Sequence, residues 1–297
     1  MYSRMLIPLD GSNIAEKVLP YARSLARSLK IPVELMAVTE ILTLTAGKAH
    51  HLDSLVDAAI LRNQEYLEKI SQTFTGVSVN YTVEAGAPEE AIIMKAALDK
   101  GTLIAMATHG RSGVKRWLLG SVAEKVLRGS SNPLLLVRGD EEAKTKGEVT
   151  LSQIIVALDG SELAEAVLPS VAELAKAINL KVILLRSYTL PPIIGGYGAY
   201  IPDLNLNALK AESKKDAVSY LDSKVQQLKS QGLDDVTPLT SEGEAAETII
   251  ELARRSPNSL IAMCTHGRSG VMRWMLGSVT EKVVRHSGDP VLVIRAT

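Results

Sequence analysis

The chain of 297 residues contains long stretches of its own sequence twice, and this duplication constrains its fold more than any other feature. The segment THGRSGVKRWLLGSVAEKV, Thr108–Val126, returns as THGRSGVMRWMLGSVTEKV, Thr265–Val283. Near the start, LIPLDGSNIAEKVLP, Leu6–Pro20, matches IVALDGSELAEAVLP, Ile155–Pro169. A surface helix needs only a pattern of apolar and polar residues, whereas here the glycines, serines and charges repeat as well. The chain is therefore predicted to hold two copies of one fold, each with the same kind of site.

The spacing between the repeats predicts the domain boundaries. The match that begins at Leu6 has an offset of 149 residues, and the match that begins at Thr108 has an offset of 157. The second copy therefore carries a net insertion of 8 residues between them. The stretch Tyr188–Asn205 contains Pro and Gly and is the predicted place of this insertion. Gly139–Thr150 is polar and charged, which is typical of a linker. We expect one domain at about 1–140 and a second at about 150–297, each long enough to bury a core.

Composition excludes several classes of partner. Hydrophobic residues make up 46% of the chain and charged residues 22%, with a formal net charge of zero, so no general attraction to nucleic acid or to an anionic membrane is expected. Aromatic content of 4% leaves little for base stacking. The N-terminal residues predict a strand rather than a signal peptide, and no apolar run approaches the roughly 20 residues of a membrane helix. The single cysteine, Cys264, fits a reducing compartment, and we predict a cytoplasmic protein.

Each half alternates apolar strands with helical stripes, which favours an α/β fold with a mainly parallel sheet and helices on both faces. Five strands are expected in each half, in the order 3-2-1-4-5. In the first half the strands are expected at Met5–Leu9, Val33–Val38, Val77–Val83, Leu103–Ala107 and Leu134–Val137. Pro20 and Pro169 fall inside helical patterns, so a kinked helix is expected at each of them.

Three polar motifs follow strand ends in both halves. An Asp-Gly-Ser sequence follows the first strand, Thr-His-Gly follows the fourth, and Gly-Ser begins the next helix. In open parallel sheets ligands bind beyond the strand carboxyl ends where the strand order reverses, which here lies between strands one and four. A helix start with glycine in front of it favours an anion such as phosphate, and Arg111 and Lys115 add positive charge in the first half. Asp10 suits a ribose hydroxyl or a base amine.

Purely structural explanations compete with this interpretation. The sequences Ser121–Glu124 and Ser278–Glu281 fit a capping box, in which the serine only caps its helix. The Asp-Gly-Ser motif can be a strand-to-helix turn, and His109 and His266 can be hydrogen-bonding loop residues rather than catalytic bases. No phosphate loop, dinucleotide fingerprint, nucleophile elbow or zinc-like cluster occurs, so no catalytic residue is assigned.

These residues resemble the universal stress protein family over both halves. The family's nucleotide-binding pattern is Gly, two residues, Gly, nine residues, then Gly-Ser or Gly-Thr. Gly110 with Gly120-Ser121, and Gly267 with Gly277-Ser278, match it. The first glycine of the pattern is replaced by Ala107 in one half and by Cys264 in the other.

The resemblance implies two adenine-nucleotide alpha-hydrolase-like domains that bind ATP or another adenine nucleotide, with Mg²⁺. It also implies that Leu134–Val137 and Val291–Ile294 pair between the halves as an internal pseudo-dimer, and it leaves a homodimer of whole chains open. Val38 would line the base pocket, with Ser187 as its counterpart. The implied nucleotide-binding residues are Leu9, Asp10, Val38, Met106, His109, Gly110, Gly120, Ser121 and Val122, and Leu158, Asp159, Met263, His266, Gly267, Gly277, Ser278 and Val279.

The leading hypothesis is a cytoplasmic stress-response protein that acts as a nucleotide-dependent binding module. Two alternatives stay open: a slow ATPase or phosphotransferase that uses His109 or Asp10, and an interaction scaffold that has lost nucleotide binding. The first half is expected to bind more strongly, because Val38 is apolar where Ser187 is polar and because Cys264 is bulkier than Ala107.

Overall fold

The computed structural model describes residues 2–40, 49–108, 119–138, 148–189, 205–265 and 276–296. Over these residues the strands form one ten-stranded sheet with the order β3-β2-β1-β4-β5-β10-β9-β6-β7-β8. The order 3-2-1-4-5 predicted for each half is confirmed, as is the parallel pairing of the strands within each half. Helices cover both faces of the sheet, so β4 and β5 near its centre are buried along their whole length.

The elements of the first half follow one another as alternating strands and helices. They are β1 (Arg4–Pro8), a short 3₁₀ helix (Ala15–Val18), α1 (Leu19–Leu29), β2 (Val33–Thr39), α2 (Ala49–Ser71), β3 (Val79–Ala85), α3 (Pro88–Ala97), β4 (Thr102–Ala107), α4 (Ser121–Gly129) and β5 (Leu134–Val137).

The second half repeats this order, with a short α-helix in place of the 3₁₀ helix. Its elements are β6 (Gln153–Ala157), α5 (Glu162–Glu165), α6 (Leu168–Ile178), β7 (Lys181–Tyr188), α7 (Leu206–Ser230), β8 (Val236–Glu242), α8 (Ala245–Arg255), β9 (Ser259–Cys264), α9 (Ser278–His286) and β10 (Val291–Ile294).

The prediction of a kinked helix at each proline is wrong. Pro20 and Pro169 lie in the first turns of α1 and α6, and a separate short helix precedes each of them. The first turn of a helix has amide groups without intrahelical partners, so a missing N–H is tolerated there. The proline therefore begins a new helix rather than bending a longer one.

The sheet separates two apolar cores. One core, on the face we call face A, packs β-strand side chains against α1, α2, α6 and α7. The other core, on face B, packs the alternate strand residues against α3, α4, α8 and α9. This division follows from the alternation of side chains along a strand, and it tells on which face each polar residue of the site lies.

The two halves join at an antiparallel seam in the middle of the sheet. β5 pairs with β10, and Leu135 lies opposite Leu292. The pairing implied by the family resemblance is thus present, and neither of these apolar strands is left as an open edge. On face A, α1 packs against α6. At the end of α4, which packs on face B, Arg295 Nη1 of the opposite half donates to the carbonyl oxygens of Arg128 and Ser130 at 3.1 and 3.2 Å. Arg295 therefore caps this helix.

The extra residues of the second half lie in two places rather than one. Tyr66 and Tyr220 occupy equivalent positions, because their hydroxyls donate to Glu16 and Glu165 at 3.1 and 3.0 Å. Their offset is 154, between the offsets of 149 and 157 on either side of them. Five extra residues therefore precede Tyr220 and three follow it. The first group agrees with the predicted insertion at 188–205, most of which lies outside the described residues, and the second group was missed.

Candidate functional site

The Asp-Gly-Ser motif forms the same tight turn at the end of the first strand of both halves. In the first half, Asp10 Oδ1 accepts from the backbone N–H of Ser12 at 2.9 Å and from its hydroxyl at 2.6 Å. The Ser12 Oγ in turn accepts from the N–H of Ala15 at 3.1 Å. Gly11 between them has φ of 79°, a conformation that residues with a Cβ rarely adopt.

The second half reproduces this turn closely. Asp159 Oδ1 accepts from the N–H and the hydroxyl of Ser161 at 2.9 and 2.6 Å, and Gly160 has φ of 90°. The Ser161 Oγ accepts from the N–H of Ala164 at 3.2 Å and caps α5. The structural role considered for this motif is therefore present, and it holds the aspartate carboxylate beyond the strand end in a defined orientation.

The start of the helix after the fourth strand is tied back to that strand. The N–H of Gly120 donates to the carbonyl of Thr108 at 2.7 Å, and the N–H of Gly277 donates to the carbonyl of Thr265 at 2.8 Å. These bonds fix the amino ends of α4 and α9 at the carboxyl ends of β4 and β9. Because β4 lies next to β1 and β9 next to β6, each helix start lies beyond the same sheet edge as an aspartate turn.

The capping-box alternative for the serines is wrong. The N-cap residues are Gly120 and Gly277, which have no side chain, and Ser121 and Ser278 are the exposed first residues of their helices. Glu124 does not reach back to the cap, because its carboxylate pairs with Arg128 at 3.0 Å. The amino end of each helix carries a partial positive charge from its oriented peptide groups, and a capping glycine lets an anion approach the backbone closely.

The other predicted residues of the described regions are either half-buried or buried. Val38 and Ser187, each the last residue but one of its strand and on face B, are half-buried, as are Val122 and Val279 in the first turns of α4 and α9. The buried positions are Met106 and Met263, which belong to the core on face B, and Leu9 and Leu158, which belong to the core on face A.

Cys264, at the position of the family's first glycine, is an inert buried group. Its thiol donates to the carbonyl of Ala164 at 3.5 Å, which ties the end of β9 to α5 and hence to the aspartate turn. Burial and the charge of Asp159 raise the pKa of this thiol to about 12. The side chain is therefore neutral and packed under the site, and Ala107 in the first half is buried in the same position.

Several predicted residues lie outside the described residues. These are His109, Gly110, His266 and Gly267, together with Arg111 and Lys115. Their assignment to the site stays a prediction. Within the part of the chain that the structure describes, no group of three or more His, Cys, Asp or Glu side chains converges as metal ligands, and no helix is long and apolar enough to span a bilayer.

Sequence reasoning missed a polar cluster beside the second aspartate turn. Arg186, near the end of β7, stacks on the ring of Tyr220 with its guanidinium carbon 4.7 Å from the ring centre. Lys224 Nζ lies 5.5 Å from the centre of the same ring and donates to Glu165 at 2.6 Å. The signal was available in the repeat, because the register of the strands aligns Arg186 with Ala37 of the first half.

Comparison with known proteins identifies the family. The model of the universal stress protein family matches residues 1–138 and again residues 150–295. A universal stress protein of Methanocaldococcus jannaschii is 29% identical over an alignment of 141 residues that covers 46% of this chain and 83% of that protein. Another, of Mycolicibacterium smegmatis, is 21% identical over an alignment of 301 residues that covers 98% of this chain and 96% of that protein.

A solved structure has the same fold over the whole chain. The crystal structure of a universal stress protein from Archaeoglobus fulgidus superposes with a TM-score of 0.74 at 22% sequence identity, covering 99% of this chain and 98% of that one. The two family matches coincide with the two copies of the aspartate turn and of the helix start. The chain therefore belongs to the universal stress protein family, as a tandem of two such domains.

Proposed function

We propose that the chain binds ATP or another adenine nucleotide in a crevice of each half and acts in the stress response as a nucleotide-dependent binding module. The observation that carries this proposal is the fixed helix start. The bonds from Gly120 to Thr108 and from Gly277 to Thr265 hold the positive ends of α4 and α9 beyond the strand ends. Each helix start shares a sheet edge with the half-buried carboxylate of Asp10 or Asp159.

The two parts of each crevice suit different parts of one ligand. The free amides at the start of a helix favour a polyphosphate, whereas a carboxylate would repel it and instead accepts hydrogen bonds from a ribose hydroxyl or a base amine. A nucleoside polyphosphate carries both kinds of group. Mg²⁺ would enter mainly through the phosphate oxygens, since such ions keep several waters and few protein ligands.

The first crevice is proposed as the stronger binder. Val38 presents an apolar wall where Ser187 is polar, and the buried Ala107 is smaller than Cys264. Apolar surface around a base contributes to binding in proportion to the area removed from water. The domain boundaries at about 1–140 and 150–297 and the cytoplasmic location remain part of the proposal.

Calorimetric titration of the full chain with ATP and Mg²⁺ tests the proposal. Binding heat is expected for the parent chain, and the variants Gly120→Val and Gly277→Val should each remove one part of it, because a branched side chain at the N-cap blocks the approach of phosphate. The matched control is Gly288→Val, since Gly288 is exposed with open space where a side chain would go. Absence of heat and of any thermal shift at millimolar ATP would refute nucleotide binding.

The interaction scaffold is retained as a second candidate because of one observation. The Cys264 side chain packs against the backbone of α5 beneath the second aspartate turn, where the family pattern has a glycine. A scaffold predicts that partner capture is unaffected by ATP and by the two Gly→Val variants. Phosphate release measured on the same preparations, with His109→Ala as control, would separate a binding module from a slow ATPase.

A further inference from the structure

Arg186 contacts the second aspartate turn from face A of the sheet. It lies near the carboxyl end of β7, and the alternation along this strand directs it to face A, where Leu184 and Val182, two and four residues earlier, also lie. The helix start at Ser278 belongs to α9, which packs on face B. Arg186 is therefore on the opposite side of the sheet from the proposed phosphate position and does not fill it.

The guanidinium group is in close contact with the turn. A Cβ added to Gly160 would lie 3.0 to 3.2 Å from three atoms of the Arg186 guanidinium. On its other side this group stacks on Tyr220, and its Nη1 lies 3.5 Å from the carbonyl oxygen of Asp216 in α7. The side chain is held between α7 and the turn, so a planar cation fixes the spacing between the two.

Charge links Arg186 to Asp159 through Tyr220. The Tyr220 hydroxyl donates to Glu165 at 3.0 Å, and burial together with this acceptor raises the pKa of Tyr220. The positive charge of Arg186 lowers the pKa of the same hydroxyl, and the negative charge of Asp159 raises this pKa. The guanidinium and the Asp159 carboxylate are thus both within electrostatic reach of one group.

The first half lacks this support. Tyr66 bonds to Glu16 as Tyr220 bonds to Glu165, but the positions of the two cations are taken by Ala37 and Ile70, which are parts of the face A core. The aspartate turns have the same internal hydrogen bonds in both halves, so among the described residues Arg186 is one difference between the crevices at this end.

We propose that Arg186 is a positioning residue that holds Asp159 in place and thereby makes the second crevice selective for the hydrogen-bonding groups of an adenine nucleotide. This inference rests on the proposed function, because it needs a nucleotide whose base amine or ribose hydroxyl Asp159 accepts from. A carboxylate held rigidly discriminates strongly against a ligand that lacks the matching donor, since its hydrogen bond is then unmade and its burial uncompensated.

Calorimetry on the full chain with the first crevice blocked by Gly120→Val tests the inference. ATP, ITP (which lacks the amine) and 2′-deoxy-ATP (which lacks the hydroxyl) are titrated into this variant and into its Arg186→Ala derivative. Arg186→Ala introduces the residue of the first half, so it is expected to fold, which thermal melting checks. At least one of the two affinity ratios, ATP over ITP or ATP over 2′-deoxy-ATP, is expected to fall about tenfold.

Two further variants separate positioning from general stability. Arg186→Lys keeps the charge but loses the planar stacking on Tyr220, so an intermediate ratio is expected. Lys224→Ile removes the neighbouring cation, again to the residue of the first half, and leaves Arg186 in place, so both ratios should be retained even where the melting temperature falls. Selectivity ratios do not respond to a uniform loss of stability.

The outcomes distinguish this inference from the proposed function. If the parent chain binds no nucleotide, both fail. If it binds but the Gly120→Val chain does not, the proposed function stands for the first crevice alone, and Arg186 has no nucleotide to select, which overturns the inference. Ratios that stay within twofold after Arg186→Ala overturn it as well.

Discussion

The two halves share a backbone but differ in the charged side chains that lie on the strands of the sheet. The first half has an ion network on face B, where Glu34 pairs with Arg4 at 2.6 Å and with Lys95 at 3.0 Å, and Lys95 approaches Glu84 at 3.5 Å. The second half has at the equivalent positions Gln153, Ile183, Leu252 and Ser241, of which the isoleucine is buried.

The second half instead has a pair of cations on face A, beside the end of β7. Arg186 and Lys224 surround Tyr220 there, at positions that are apolar in the first half. The strand registers of the two halves agree throughout. The comparison teaches that hydrogen bonding and strand order are robust to exchange of side chains, whereas the surroundings of the site are set by a few residues that differ between the copies.

The largest effect is expected at the seam, where the two halves are most alike. Leu135 and Leu292 are equivalent, lie opposite each other and are each 1% exposed. Replacing either with alanine should lower the free energy of unfolding by about 2–5 kcal/mol, because a buried cavity is formed. The two losses should be equal, and denaturant titration measures them.

The double variant of these leucines sharpens the test. Residues in contact share one cavity, so the combined loss should differ from the sum of the single losses. Leu103→Ala, buried within the first half, is the matched control for an ordinary core cavity. Clearly unequal losses for the two seam leucines would contradict the symmetry of the seam.

A smaller effect is expected in the ion network of the first half. Glu34→Ala leaves Arg4 without this partner in a setting where the glutamate side chain is only 14% exposed, so stability should fall by about 2 kcal/mol. The triple exchange to the residues of the second half, Arg4→Gln with Glu34→Ile and Lys95→Leu, should cost less than about 1 kcal/mol, because apolar packing replaces a buried ion network well. A triple variant less stable than Glu34→Ala would break this comparison.

The smallest effect at neutral pH is expected at Cys264. Its pKa is raised to about 12, whereas an unfolded thiol ionises near pH 8.5. The contribution of this thiol to the free energy of unfolding is therefore complete below about pH 8.5. It is lost as the pH rises towards 12, because in that range only the unfolded chain forms the thiolate. Cys264→Ala, which introduces the residue of the first half, should remove this part of the alkaline loss of stability.

Thiol labelling gives an independent measurement of the same group. Native protein at pH 8 should react very slowly with an aromatic disulfide reagent. Denatured protein should release one equivalent of the reagent's thiolate per chain, since the chain has one cysteine. Rapid reaction of the folded chain would contradict the burial of this side chain.

Much of the fold could be predicted from the repeats, and the errors have local causes. The strand order and the seam followed from the duplicated pattern and the family resemblance. Pro20 was placed inside a helix because periodicity does not reveal that a helix stops and begins again at a proline. A capping role was one open interpretation of Ser121, because the capping-box pattern also fits a serine that follows the cap. The backbone of Gly120, which has φ of −61° and an extended ψ of 147°, shows that Gly120 is the cap.

By itself, the sequence determined that the chain holds two copies of one α/β unit with an aspartate turn and a glycine-led helix in each, because period, spacing and turn residues are local properties. Only the tertiary structure decided which side chains contact each aspartate turn from face A. Arg186 and Gly160 are 26 positions apart in the chain, and their contact depends on parallel neighbouring strands that end at one edge and on the face to which the arginine points. The repeat marks Arg186 as a difference between the halves, but its contact arises from packing across the sheet and is not a property of the local sequence.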